Sequence, residues 1–220
     1  MAVPTFPLMG FSRHRLGIDG QGVTTLATAW GCPLRCAYCL NPQCQSPDTA
    51  VKQVTAGALV EMARVDDLYF QATGGGVTFG GGEPLTHAAF IRQFRRLCPE
   101  PWRITVETSL NVPLEDFRAT AGCVDEFLVD IKDMNPATYR RYTGRDSTLA
   151  VLNLRLLLDA VGPGRVIVRV PHIPGYNTPE DVARSAQALR DMGVRRLDVF
   201  KYRVKTAGSA GAAPSEPRQR

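Results

Sequence analysis

The feature of this sequence that most limits its fold is a repeated alternation of short β-branched runs with segments of helical periodicity. GVTTLATAW (22–30), GGGVTF (74–79), RITVE (103–107), EFLVDI (126–131), RVIVRV (165–170) and RLDVF (196–200) read as strands, because Val, Ile, Thr and Phe fit a pleated, buried surface. Between them, 54–68, 87–98, 114–121, 136–142, 149–161 and 179–192 space their apolar residues as helices do. Thr55 is a candidate cap for the first helix, and Phe90, Ile91, Phe94 and Leu97 mark one side of the second. Thr178 and Pro179 open the last helix and Gly193 ends it. Strands joined through helices require right-handed crossovers and a parallel sheet. Six such units predict an α/β fold, a partial (β/α)6 TIM-like barrel, with ligands at the C-terminal ends of its strands.

The length, 220 residues, suits one well-buried domain. Its expected layout is an N-terminal lead-in without periodicity (1–21), the barrel domain (22–205), and a disordered tail (206–220) rich in Ala, Gly, Pro, Ser and Gln and without aromatics. Hydrophobic residues make up 44%, yet no apolar run reaches the roughly 18 residues of a membrane span, and residues 1–10 lack a secretion signal. A cytoplasmic protein without membrane association is expected. The net charge of +5 rests on arginine, since Lys52, Lys132, Lys201 and Lys205 are the only lysines. Pairs such as Arg95-Arg96, Arg140-Arg141 and Arg195-Arg196 read as solvated helix faces, and no basic stripe with interleaved aromatics points to nucleic acid.

Six cysteines are unevenly placed: Cys32, Cys36, Cys39 and Cys44 cluster, while Cys98 and Cys123 stand alone in structural segments. Disulfides would suit a small secreted chain, which this is not. Soft thiolates select zinc, copper(I) or iron-sulfur clusters. A structural zinc needs four protein ligands, commonly in two separated pairs, so Cys44 would have to serve as the fourth. Cys32, Cys36 and Cys39, with gaps of three and two residues, suit instead a 4Fe-4S cluster whose last iron stays open.

Other strand ends carry polar residues. Gly80, Gly81 and Gly82 precede Glu83 and Pro84, where missing side chains let backbone approach a ligand and the carboxylate can meet a cation; a plain tight turn is the alternative. Glu107, Ser109, Asp130 and Lys132 fall at the ends of two further strands, on the face where such folds bind ligands.

The CxxxCxxC spacing, with Tyr38 before the last cysteine, resembles the signature of the radical S-adenosylmethionine superfamily. The resemblance implies that Cys32, Cys36 and Cys39 hold a 4Fe-4S cluster and that S-adenosylmethionine chelates the open iron. One electron would then cleave the cofactor to a 5'-deoxyadenosyl radical that abstracts hydrogen. It further implies that Tyr38 lies near the adenine and that the Gly81-Gly82-Glu83 motif receives the cofactor's amino group. Segments 107–111 and 129–134, GGGVT (74–78) and VPHIPGYN (170–177) resemble the activating enzymes of glycyl-radical enzymes, such as pyruvate formate-lyase activating enzyme, over about residues 17–202. By that likeness Glu107, Ser109, Asp130, Lys132 and Arg169 line the cofactor pocket.

The implied activity is an oxidoreductase acting on a glycine of a partner glycyl-radical enzyme, with a flavodoxin- or ferredoxin-type electron donor. The alternatives are radical tailoring of a small molecule or peptide, and a non-catalytic zinc or iron-sulfur module. The sequence departs from the activase pattern in reading Glu107-Thr108-Ser109-Leu110 for D-T-N-G, Leu40-Asn41-Pro42 for His-Asn-Pro, and Lys201-Tyr202-Arg203 where a histidine is frequent. It also lacks a second cysteine group between Cys44 and Gly80.

Overall fold

The computed structural model describes residues 3–202. Six strands run parallel: β2 (Val23–Ala29), β4 (Gly76–Gly81), β5 (Arg103–Thr108), β6 (Glu126–Asp130), β7 (Val166–His172) and β8 (Arg196–Lys201). Together with β1 (Thr5–Leu16) and β3 (Lys52–Thr55) they form one sheet in the order β3-β1-β2-β4-β5-β6-β7-β8. The connecting helices are α1 (Ala56–Arg64), α2 (Asp67–Thr73), α3 (Ala88–Leu97), α4 (Leu114–Thr120), α5 (Pro136–Thr143), α6 (Thr148–Val161) and α7 (Pro179–Asp191). The six parallel units are those read from the sequence, and their C-terminal ends share one edge of the sheet.

The local signals behave as their chemistry requires. Thr55 accepts from the Ala58 N–H at 3.3 Å at the start of α1, and Thr178 forms a reciprocal capping box with Asp181 on α7. Phe90, Ile91 and Phe94 of α3 are buried against Phe79 of β4 and Phe6 of β1, with the Phe6 and Phe90 rings stacked at 5.0 Å. Each such ring contributes on the order of 1.5–3 kcal/mol by burial. Leu97 departs from this face: at the final turn of α3 it is half exposed.

Two stretches differ from the sequence reading, each for a physical reason. Residues 5–16, expected to be irregular, form the long strand β1, antiparallel to both β2 and β3. Its register shifts between Leu8 and Gly10 and again between Ser12 and Arg15, so no two-residue alternation persists long enough to read. The expected helix over 54–68 begins two residues later, because Lys52–Thr55 is β3, and it breaks at Val65 and Asp66. The break turns the Asp66 carboxylate inward, where Arg13 and Thr25 hydrogen-bond it, His14 Nε2 lies 3.0 Å away, and β1 and β2 are pinned to the start of α2. The tail expected over 206–220 lies outside the described residues. No helix among the described residues is long and apolar enough to cross a membrane.

Candidate active site

The cysteine loop leaves the C-terminal end of β2 and is fixed by its backbone. Trp30 N–H donates to the Pro7 carbonyl at 2.9 Å and Gly31 N–H to that of Cys44 at 2.8 Å, so the loop closes on its own base. Its outer side is held by the end of α5: Arg35 N–H donates to Thr143 O at 2.8 Å and Ala37 N–H to Tyr142 O at 3.0 Å. Leu34 is buried beneath it.

Cys32, Cys36 and Cys39 are all free thiols and partly exposed, whereas Cys44 is fully buried under the loop. Hydrogen bonding with Cys44 draws the Cys39 thiol down to about 6 and lowers that of Cys32, while the Cys44 thiol is raised by the same two contacts. Burial pushes Cys36 up to about 11, against the pull of Lys132. Among the described residues no three His, Cys, Asp or Glu side chains are grouped to hold a single metal ion. Cys98 and Cys123 lie apart from the loop, their thiols donating to helix carbonyls of Arg95 and Thr120.

The glycine turn after β4 packs directly on the start of the cysteine loop. Gly82 N–H donates to Ala29 O at 2.9 Å and Glu83 N–H to Gly31 O at 2.8 Å. A Cβ on Gly82 would fall 2.1 Å from the Gly31 carbonyl, and Gly81 has φ +88°, so both positions exclude a side chain. Glu83, which the sequence assigns to a cofactor contact, is buried with both oxygens engaged. One accepts from the Thr108 hydroxyl at 2.7 Å and the Leu85 N–H at 3.3 Å, and the other from the Ser109 N–H at 2.9 Å and hydroxyl at 2.7 Å. Burial raises its carboxyl pKa, opposed by these donors.

Sequence reasoning placed Ser109 at a ligand face but did not find its bond to Glu83, 26 residues away. Leu110, next in line, is buried with φ +54°, the left-handed conformation that a glycine adopts freely. Asn153 of α6 holds this turn by donating to the carbonyls of Leu110 and Val112, both at 2.9 Å.

Inside the barrel the remaining polar strand ends form one chain of ion pairs. Arg169 on β7 donates through Nε to Asp130 at 2.6 Å and through a terminal nitrogen to Glu107 at 2.8 Å, and Lys132 Nζ donates to Asp130 at 2.8 Å. Burial would raise the Asp130 carboxyl, but Lys132 and Arg169 outweigh it and hold it at about 2. Glu107 is raised by burial, against the pull of Arg169 and with Asp19 and Asp130 also nearby. Asp130 likewise outweighs the burial of Lys132 and keeps that ammonium charged. The structure therefore brings Glu107, Asp130, Lys132 and Arg169 together, and the charge of Lys132 reaches Cys36 and Cys39.

Tyr38 sits in an aromatic group that the sequence did not reveal. Its ring lies 5.6 Å from that of Tyr176 and 6.3 Å from that of Tyr142, and Tyr142 lies 6.5 Å from Tyr202. Four separate segments supply these rings, so no local pattern marks them.

Comparison with known proteins agrees with this geometry. The family model for the radical SAM superfamily matches residues 28–200. The isethionate sulfite-lyase activating enzyme of Nitratidesulfovibrio vulgaris is 28% identical, covering 90% of this chain and 86% of that protein. The pyruvate formate-lyase-activating enzyme of Staphylococcus aureus is 31% identical over 84% of this chain and 76% of its own length. Among solved structures, Streptococcus suis SuiB bound to precursor peptide SuiA superposes with a TM-score of 0.62 at 13% identity, a likeness of fold. It covers 81% of this chain and 38% of that one, so this chain spans well under half of that larger protein. A cysteine loop on β2, a glycine turn bonded to its base, and a six-stranded parallel barrel thus agree with sequence similarity along nearly the whole chain: it belongs to the radical SAM superfamily, among the relatives of the activating enzymes.

Proposed function

We propose that this chain is an activase: it holds a 4Fe-4S cluster on Cys32, Cys36 and Cys39, binds S-adenosylmethionine at the open iron, and acts on a glycine of a partner glycyl-radical enzyme. The observation that carries the reading is the convergence of three partly exposed thiols with the charged ends of β5, β6 and β7 on one edge of the sheet. The donor set fits the cluster, since three soft thiolates leave one position open for a ligand that supplies nitrogen and oxygen. When bound, the cluster and cofactor supply the electron transfer and the 5'-deoxyadenosyl radical that abstracts hydrogen.

The chain's own residues do the positioning. Gly81 and Gly82 expose backbone beside Cys32, and Glu83 ties that turn to the end of β5. Lys132 offers a positive charge suited to the cofactor's carboxylate, while Glu107 and Asp130 are held by Arg169 as hydrogen-bond acceptors. Ser109 belongs to the same wall, and Tyr38, with Tyr176 beside it, offers an aromatic surface suited to adenine. A flavodoxin- or ferredoxin-type protein would supply the electron, and the setting would be the cytoplasm.

The test is anaerobic incubation of the reconstituted protein with dithionite, S-adenosylmethionine and a candidate partner deuterated at glycine. Deuterium should appear in 5'-deoxyadenosine, with a glycine-centred radical in the partner by electron paramagnetic resonance. Deuterium arriving from a free peptide or small molecule would sink the activase reading in favour of tailoring. No 5'-deoxyadenosine with cluster and cofactor in place would sink both.

A further inference from the structure

Four arginines from two stretches of the sequence, one over a hundred residues from the other three, are gathered on the outer side of the cysteine loop. Arg35 belongs to the loop, Arg140 and Arg141 to the last turn of α5, and Arg145 to the segment just after it; all four are exposed. The fold holds them side by side. Gly144 lies against Arg35, a Cβ there falling 3.6 Å from that of Arg35, and Arg145 Nε donates to Pro33 O at 3.0 Å. Arg35 is steadied by Gln45 at 2.7 Å, and Arg141 lies 4.9 Å over the Tyr176 ring while donating to its carbonyl. The one carboxylate that pairs with any of the four, among the described residues, is Asp146, 2.7 Å from Arg140.

We propose that this arginine collar is the docking surface for an acidic one-electron carrier protein that reduces the cluster. The inference rests on the proposed function and adds where the electron arrives. Four positive charges against one negative stand beside residues 33–37 of the loop, next to the partly exposed Cys36. Transient electron-transfer encounters bury little surface and depend on charge to find their orientation. Because every arginine already has a fixed partner, little side-chain freedom is lost when the carrier arrives. Nucleic acid is the less suitable occupant: the charges form a spot rather than a stripe, and nothing places a polynucleotide beside a redox loop. In the transfer, the carrier gives up one electron and is oxidised by one, and the cluster is reduced by one.

The test uses the cluster-loaded protein and a purified, strongly acidic flavodoxin. Wild type should bind it with an affinity that falls steeply as salt rises. Arg35→Glu with Arg140→Glu should weaken binding and slow flavodoxin-driven cluster reduction by tenfold or more at low salt, and flatten the salt dependence. Dithionite-driven formation of 5'-deoxyadenosine, without partner, should be unchanged. The neutral pair Arg35→Gln with Arg140→Gln should show a smaller change of the same sign, and Arg96→Glu with Arg155→Glu, on α3 and α6, should show none. Equal affinity and equal flavodoxin-driven rates in wild type and the collar variants would overturn the proposal. So would tighter binding of a labelled single-stranded oligonucleotide that the same variants abolish. Failure of dithionite-driven cleavage in wild type would instead remove the activase reading, leaving the binding measurement to judge the surface.

Discussion

Ser109 gives both its backbone N–H and its hydroxyl to the same oxygen of Glu83, at 2.9 and 2.7 Å. With Thr108 and Leu85 on the other oxygen, the carboxylate is an internal tie between the glycine turn and the end of β5. Glu83→Gln presents N–H groups to one pair of donors, leaving buried donors unpaired at about 1–3 kcal/mol. The expected outcome is a fall in Tm of several degrees and weaker S-adenosylmethionine binding by calorimetry, with iron content retained. An unchanged Tm would show that the tie carries no weight.

The cysteines separate by iron analysis after anaerobic reconstitution. Cys32→Ala, Cys36→Ala and Cys39→Ala should each lose the cluster, while Cys44→Ala, which removes a buried thiol beneath the loop, should keep about four irons per chain. One zinc per chain, lost with Cys44→Ala, would establish the zinc reading instead.

Arg169 bridges Glu107 and Asp130 through two different nitrogens, a geometry that an ammonium cannot reproduce. Arg169→Lys should therefore raise the dissociation constant for S-adenosylmethionine about tenfold while the cluster's absorption spectrum stays intact. Equal affinity in a titration of the variant would remove Arg169 from the cofactor wall.

Leu110 sets two effects against each other. Glycine there would relieve a left-handed conformation costing about 1–2 kcal/mol, but removing a buried leucine costs about 3–5 kcal/mol. Burial wins, so Leu110→Gly should destabilise by roughly 1–4 kcal/mol, seen as a lowered Tm. A raised Tm would mean that strain dominates.

Asp66 bears on acid stability. Burial would raise its carboxyl, but Arg13, Thr25 and His14 outweigh this and lower it below the usual value of 3.8. A depressed carboxyl stabilises the fold above its unfolded pKa and loses that contribution as pH falls through the folded one. The urea midpoint of wild type should thus exceed that of Asp66→Asn at pH 5 to 7, the margin narrowing below pH 4. A margin independent of pH would assign the effect to packing.

The parts of this molecule legible in its sequence are those encoded by neighbours in the chain. Each parallel strand announces itself by a β-branched run, and the thiol spacing needs only eight consecutive residues. β1 was hidden because its two register shifts rotate the faces, and because Arg13 and His14, which look like solvent residues, point at the buried Asp66. Arg140 and Arg141 read as a solvated helix end, since nothing near them in sequence announces that Arg35 stands beside Arg145 and the turn that follows. The tie from Glu83 to Ser109 and the aromatic group around Tyr38 are likewise products of strand order, which no window of sequence contains.

The stitching of the cysteine loop to α5 has a consequence in time. Pro33 and Arg145, joined by a hydrogen bond, are 112 positions apart, so the Arg145 donor and the Tyr142 and Thr143 carbonyls that hold the outer side of the loop do not exist when Cys39 leaves the ribosome. At about 5–20 residues per second, roughly 6–20 s pass before that anchor is made. During this interval the three thiols are a loose, oxidisable segment, open to whatever metal or oxidant reaches them first. Loading with iron and sulfide therefore belongs after the C-terminal half has folded, and an oxidant present during synthesis damages this protein more than one added afterwards.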